Sequence, residues 1–167
     1  MQMKTKKLVM TALLAALTCV TTMIITVPSP LKGYLNLGDS VVLLSGWLLS
    51  PAYGFLAAGL GSAMADLFSG YVIYAPATFV IKGLMAFIAC LGFKVLDKFM
   101  DRRLARTVSG AAAEVVMVLG YFVFEGFMYG FLPSAVNIPA NSVQGIAGLV
   151  LGSVLIRIFQ KNKLSVE

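Results

Sequence analysis

Long apolar runs separated by short polar segments account for most of this chain. The runs cover residues 8–27, 40–65, 75–93, 108–132 and 138–156. A helix needs about 20 residues to cross about 30 Å of hydrocarbon, so four of the runs have the length of one membrane span. The run 40–65 is longer, and residues 50–54 in its middle contain a proline and a glycine that favour a break. This run is either one long helix or two short ones.

The positions of the basic residues decide between these alternatives. Eleven of the thirteen Lys and Arg residues fall in three clusters, at 4–7, 94–106 and 157–163. Clusters of positive charge share the cytoplasmic side of a membrane, so an even number of crossings must separate them. Two helices in the ambiguous run give four crossings between the first two clusters, whereas one helix gives three. We therefore predict an all-α integral membrane protein, a single domain over 1–167 with both termini cytoplasmic. Its six spans lie at about 8–27, 39–50, 52–69, 76–96, 108–132 and 138–158.

Composition supports the membrane assignment and excludes several functions. The chain is 59% hydrophobic with a mean hydropathy of +0.92, and 12% of its residues are charged against about 25% in soluble domains. It has no histidine, which excludes His-based catalysis and the usual zinc motifs. No P-loop and no metal-ligand spacing occurs, so we expect no cofactor in this chain. The net charge of +6 reports orientation and does not indicate nucleic-acid binding.

The remaining polar residues concentrate at one depth. At about 1.5 Å per helical residue, those in the spans fall within about 10 Å of the external face. Ionisable residues inside a membrane are expensive and indicate function. Together with nearby tyrosines they predict an outward-facing pocket for a small polar molecule with a flat ring. The candidate ligand-binding residues are Tyr34, Asn36, Asp39, Asp66, Tyr74, Thr78, Lys82, Glu125, Tyr129, Asn141 and Gln144.

Several of these residues also have a structural interpretation. Lys82 could form an ion pair with Asp66 or Glu125 that only holds helices together. Asp39 follows a glycine and could be a helix N-cap. Lys32, Tyr71 and Asn137 are further members of the external polar layer, whereas Glu114 lies in the cytoplasmic half and is expected to reach towards the basic loop.

The chain resembles the substrate-binding S components of energy-coupling factor (ECF) vitamin transporters. The resemblance is to the branch related to the riboflavin-type and the pyridoxine or hydroxymethylpyrimidine S components, and it covers nearly the whole chain. The stretches that carry it are Ala12–Leu17, Pro28–Asp39, Pro51–Gly54, Gly61–Leu67, Tyr74–Gly83 and Pro139–Gly145.

The resemblance implies a function and partners. An S component binds a vitamin near the external face, under the loop that follows the first helix, here residues 28–39. It then topples in the bilayer against a T subunit, and two separate ATPase subunits supply the energy. The A-x-x-x-A surface that docks on the T subunit corresponds to Ala12 and Ala16, although that spacing alone also fits internal packing. The resemblance places the chain in a bacterial plasma membrane and gives it no enzymatic activity.

The ligand and one alternative function stay open. Lys82 with Asp66 and Glu125 would leave a mixed, slightly acidic pocket that suits a neutral or zwitterionic heteroaromatic. Pyridoxine or hydroxymethylpyrimidine fits, while pantothenate, a queuosine precursor and riboflavin remain possible. The alternative is a self-sufficient secondary transporter that uses Asp66, Lys82 and Glu125 as a proton relay. Such a protein would need a polar path through the cytoplasmic half, where the sequence has few polar residues.

Overall fold

The computed structural model describes residues 2–29, 31 and 33–161, and it is mostly helical. Lys32 and Lys163 of the sequence prediction lie outside the described residues. Seven helices and two short strands follow one another, with a 3₁₀ turn at Ala135–Asn137. The elements are α1 Gln2–Ile24, β1 Thr26–Pro28, β2 Tyr34–Asn36, α2 Asp39–Leu48, α3 Pro51–Phe68, α4 Ala75–Leu96, α5 Arg102–Tyr129, α6 Phe131–Ser134 and α7 Ile138–Lys161.

Four segments are long and apolar enough to cross a membrane: Lys4–Ile24, Ala75–Leu96, Arg102–Tyr129 and Phe131–Lys161. The run 40–65 is divided into α2 and α3 at the break that the proline predicts. Ser50 is extended, as residues before proline prefer, and Pro51 opens α3, where its missing N–H has no partner to lose. The count of six crossings stays a prediction.

Helix α2 is too short to cross a bilayer, since its 10 residues at about 1.5 Å each extend about 15 Å. It is instead enclosed by the other helices, and Asp39 to Trp47 are all buried. Leu43 and Leu44 form the centre of the core with Met85 of α4 and Met117 of α5. A helix buried on all sides can therefore hold a charged residue away from both lipid and water.

The all-α expectation is wrong for the segment after the first helix. Strands β1 and β2 form an antiparallel hairpin in which Thr26 pairs with Asn36 and Pro28 with Tyr34. Helix α1 stops at Ile24 and not at residue 27. The reason is local: Thr26 and Val27 are β-branched and favour strands, and Pro28 cannot continue a helix.

The fifth span also ends earlier than predicted. Helix α5 stops at Tyr129 because Gly130 has a φ of +92°, a left-handed conformation that favours glycine. At its other end α5 begins at Arg102, before the apolar run, and the Asp101 side chain caps it by accepting from the Arg103 N–H at 2.9 Å. The chain after Gly130 forms α6 and the 3₁₀ turn, which bring Asn137 to the same end of the bundle as the hairpin.

Helix α1 packs on α3 through one face only. Leu14 and Thr18 are buried on that face, and any side chain at Gly61 of α3 would collide with the Ala15 carbonyl oxygen. Ala12 and Ala16 lie on the opposite face and are exposed. The small residues of α3 thus serve internal packing, whereas the two alanines of α1 do not.

Candidate ligand-binding cleft

A cleft opens under the hairpin at one end of the bundle. It holds about 400 Å³ of empty space, counted up to its open mouth. Its residues come from the hairpin and from α3, α4, α5 and α7, together with the turn before α4. They are Ser29, Gly33, Tyr34, Asn36, Asp66, Tyr71, Tyr74, Thr78, Tyr121, Glu125, Asn141 and Gln144.

Eight of the eleven residues predicted from the sequence line this cleft. The other three lie close by but do not line it: Asp39 and Lys82 lie buried among the helices, and Tyr129 lies near the Tyr74 hydroxyl. Most of the polar residues that the sequence places at one depth therefore also lie at one site in the structure.

Asp66 provides one acceptor in the cleft. Its Oδ1 accepts a hydrogen bond from the Tyr34 hydroxyl at 2.7 Å. Its Oδ2 is buried and has no partner among the described residues. Burial, and then the neighbouring Asp66, raises the pKa of Tyr34, so this phenol stays protonated and continues to donate. Asp66 thus keeps unused accepting capacity on a buried oxygen beside the cleft.

Glu125 provides a second carboxylate, held by neutral donors. The Asn137 side-chain amide lies 2.9 Å from both Glu125 oxygens, and the Tyr74 hydroxyl lies 3.4 Å from Oε1. Asn137 also accepts from the Leu31 backbone N–H at 3.3 Å. The 3₁₀ turn therefore joins the hairpin segment to α5, and the Glu125 carboxyl group is held by neutral donors only in these contacts.

Aromatic rings form one wall of the cleft. Tyr34 of the hairpin lies over Tyr71 with ring centroids 4.6 Å apart, and Tyr71 meets Tyr74 edge-on at 6.3 Å. The Tyr121 hydroxyl lies 3.1 Å from the Thr78 hydroxyl on the neighbouring helices. Such rings offer apolar faces for stacking and hydroxyls for hydrogen bonds to the same ligand.

The partner of Lys82 differs from the sequence interpretation. Lys82 forms an ion pair with Asp39, and not with Asp66 or Glu125. The interpretation of Asp39 as an N-cap is also wrong, because its side chain accepts from Lys82 and from the Gln144 amide, the latter at 2.6 Å. Asp39 and Lys82 are buried, at 0% and 2% exposure respectively. Lys82, the cation that the sequence places in the cleft, therefore does not line it.

Glu114 does not reach the basic loop, contrary to the expectation. It is 6% exposed, and neither carboxylate oxygen has a hydrogen-bond partner among the described residues. Its Oε2 and Oε1 lie against Gly145 and Gly148 of α7. Glu114 is twelve residues into α5, about 18 Å from the helix start, which is too far for the side chain to reach the loop.

The amino-acid sequence also matches a known family over almost its whole length. The family model described as "ECF-type riboflavin transporter, S component" covers residues 2–161. This chain belongs to the S components of ECF-type transporters. It is a transporter subunit and not an enzyme.

Relatives and solved structures agree with this assignment. The S component is 37% identical over 143 residues to an uncharacterized protein of Pyrococcus woesei, covering 85% of this chain and 93% of that protein. It is 28% identical over 159 residues to the thiamine precursor transporter HmpT of Lactococcus lactis subsp. cremoris (strain MG1363), covering 93% and 89%.

Two solved S components have the same fold. One, from a bacterial ECF transporter, gives a TM-score of 0.71 at 22% identity, with 95% of this chain and 97% of that chain covered. The other, an S component for biotin from an ECF-type ABC transporter, gives 0.68 at 18% identity, with 95% and 92% covered. At these identities the likeness concerns the fold and not the ligand.

Sequence reasoning did not select five residues that build the cleft of this S component. Tyr71 and Asn137 were placed in the external layer without a role, and Ser29 and Gly33 lie in the hairpin, which was not foreseen. Tyr121 gave a usable signal, because it lies four residues before Glu125 and so on the same face of α5.

Asn137 and Asn141 allow a matched test of the Glu125 contacts. We expect Asn137→Ala to lower the free energy of unfolding by about 1–3 kcal/mol, because it leaves a buried carboxylate without its amide donor. Asn141 lies at the cleft surface and holds no carboxylate among the described residues, so Asn141→Ala is expected to change the free energy of unfolding by less than about 0.5 kcal/mol. Thermal unfolding of both variants in detergent measures the difference, and equal melting temperatures would contradict the role of Asn137.

Proposed function

We propose that this S component captures a small vitamin precursor from outside the cell, in the cleft under the hairpin. The leading candidate is hydroxymethylpyrimidine, with pyridoxine as the next. One observation carries the proposal: Asp66 and Glu125 face a single cleft whose described lining contains no cation. Lys82, the cation that the sequence had assigned to the site, is neutralised by Asp39.

The chemistry of the cleft favours a ligand with N–H or O–H donors. Carboxylates accept hydrogen bonds and repel anions. An aminopyrimidine with a hydroxymethyl group offers an amine and a hydroxyl to them, and its ring can stack on a tyrosine. Pantothenate is a carboxylate and would bring a further acceptor to a site that already presents two. The relative HmpT, named as a thiamine precursor transporter, supports the pyrimidine.

The size of the cleft supports a ligand with one ring. Its empty space of about 400 Å³ includes open solvent at the mouth, so the space that its walls enclose is smaller still. Riboflavin, with three fused rings and a ribityl chain, suits this volume less well than a single pyrimidine or pyridine.

We propose that transport follows the pathway of the family. The loaded S component topples in the plasma membrane against a T subunit, and two ATPase subunits on separate chains supply the energy. The support lies on α1, whose residues Ala12 and Ala16 are exposed on the face turned away from α3. Small side chains one helical turn apart let another helix approach closely.

Binding of hydroxymethylpyrimidine to the purified chain tests the ligand proposal. We expect Asp66→Asn and Glu125→Gln each to weaken binding by about 10-fold to 100-fold, since each removes a charged acceptor. Asp97→Asn is the control, because Asp97 lies in the exposed loop after α4, where Arg102 contacts it. Isothermal titration calorimetry measures the three affinities. Unchanged binding in both cleft variants, or tighter binding of pantothenate, would contradict the proposal.

A bulky residue on the exposed face of α1 tests the docking surface. We expect Ala12→Trp to retain ligand affinity and to abolish uptake in cells that express the complete transporter. Ala111→Trp places the same side chain on an exposed position of α5 and is expected to leave uptake unchanged. Radiolabelled uptake measures both. Normal transport by Ala12→Trp would remove this surface from the mechanism.

Reconstitution separates this function from a self-sufficient secondary transporter. The three side chains that would form the proton relay already have other partners. Lys82 is paired with Asp39. Asp66 accepts from Tyr34, and Glu125 accepts from Asn137. We expect liposomes that contain only this chain to show no uptake above protein-free liposomes, with or without a proton gradient. Gradient-driven accumulation by the chain alone would favour the secondary transporter.

A further inference from the structure

A continuous set of polar contacts runs from α4 to the hairpin beneath the cleft. Lys82 of α4 pairs with Asp39 of α2, and Asp39 Oδ2 accepts from the Gln144 Nε2 of α7 at 2.6 Å. Gln144 Oε1 then accepts from the backbone N–H of Asn36 in β2 at 2.9 Å. Lys82, Asp39 and Gln144 are all at most 5% exposed, so each depends on the others for its hydrogen bonds.

The two hydrogen bonds of the Gln144 side chain run in one direction, from its amine to Asp39 and from the Asn36 N–H to its oxygen. A glutamine amide has a donor end and an acceptor end, and the two can exchange by a rotation of the amide. Asp39 pairs with Lys82 through Oδ1 and accepts from Gln144 through Oδ2, so it selects the amine end of Gln144. The oxygen is thereby left for Asn36. If the amide rotated, its amine would face the Asn36 N–H, and two donors would oppose each other.

Close packing between α2 and α7 makes this contact possible. Gly148 lies one turn after Gln144, and a Cβ built there would be 2.6 Å from the Asp39 Cβ. Any larger residue at 148 would push α7 away from Asp39 and withdraw Gln144 from its carboxylate. The Glu114 side chain also lies against Gly148, and its Oε1 would be 3.0 Å from a Cβ at that position. Glu114 takes part in none of the hydrogen bonds of this set.

We infer that Asp39 and Lys82 are positioning residues for the cleft: they fix the orientation of Gln144, and Gln144 holds strand β2 in place. Strand β2 carries Tyr34 and Asn36, which both line the cleft, and Tyr34 donates to Asp66. The charged pair thus acts on the ligand site through an amide and a strand, without lining the site. The effect on ligand affinity rests on the proposed function, whereas the attachment of β2 does not.

Amide hydrogen exchange at Asn36 in the full chain, in detergent and without ligand, measures the attachment directly. Gln144→Leu removes the acceptor, and we expect the Asn36 amide to exchange about 5-fold to 10-fold faster. The Ser29 amide is the internal reference, because it donates to the Gly33 carbonyl within the hairpin at 3.0 Å and does not contact Gln144. Its exchange rate is expected to stay unchanged.

The double variant Asp39→Leu/Lys82→Met separates positioning from support of the fold. Replacing a buried ion pair by apolar residues of similar shape is often neutral or stabilising, whereas the buried Gln144 amine left without an acceptor is destabilising, so we expect at most a small loss of melting temperature. Gln144 nevertheless loses the acceptor that orients it, and Asn36 is expected to exchange faster by a similar factor. A purely structural pair would give the opposite result, with altered stability and an unchanged Asn36 rate.

Three outcomes would overturn the inference. One is wild-type exchange at Asn36 in Gln144→Leu, and another is wild-type exchange there in the double variant. The third is equal acceleration at Ser29 and Asn36, since the residues would then support the hairpin itself and not its attachment. Failure of hydroxymethylpyrimidine to bind the wild-type chain would contradict the proposed ligand and would leave the exchange results as they stand.

Discussion

The buried ion pair between Asp39 and Lys82 is the interaction on which the rest of this structure depends. An unpaired charge in a low-dielectric interior costs several kcal/mol, so neither residue can be accommodated without the other. The pair joins α4 to α2, the helix that is too short to span and is enclosed by its neighbours. Because such pairs contribute little net stability, their usual value is to select one arrangement over others, and here that arrangement sets the floor beneath the cleft.

The same pair determines the electrostatics of the cleft. With Lys82 neutralised, Asp66 and Glu125 are held by a phenol and a side-chain amide, which donate hydrogen bonds and carry no charge. Neutral donors fix the orientation of a carboxylate without cancelling its field. The proposed preference for ligands with hydrogen-bond donors over anions rests on this arrangement, and the tyrosines of the cleft offer faces for a flat ring.

The sequence predicts well how deep a side chain lies along its helix, and poorly in which direction it points about the helix axis. Charge parity and Pro51 locate the division between α2 and α3, and the rise per residue places Asp66, Glu125 and Gln144 at one level. Neither argument says in which direction a side chain points about its helix axis. For this reason the sequence pairs Lys82 with the wrong carboxylates: Asp39 and Glu125 both lie 43 residues from it in the chain, so sequence separation does not distinguish them. The prediction that Glu114 reaches the basic loop is wrong for a related reason. Helix α5 starts before the apolar run, which places Glu114 deeper than the span boundaries suggest.

Several contacts attach the hairpin to the helices, and two of its connections lie on opposite strands. On one side it continues directly from α1, with only Ile25 between the helix and β1, so displacement of α1 reaches β1 unless the chain bends there. On the other side β2 is held by Gln144 of α7, which is fixed by the buried pair. The connection to α1 and the contact at Gln144 therefore lie on opposite strands of one hairpin. In the proposed docking step a displacement of α1 would reach the hairpin through β1, whereas Gln144 holds β2, the strand that carries Tyr34 and Asn36.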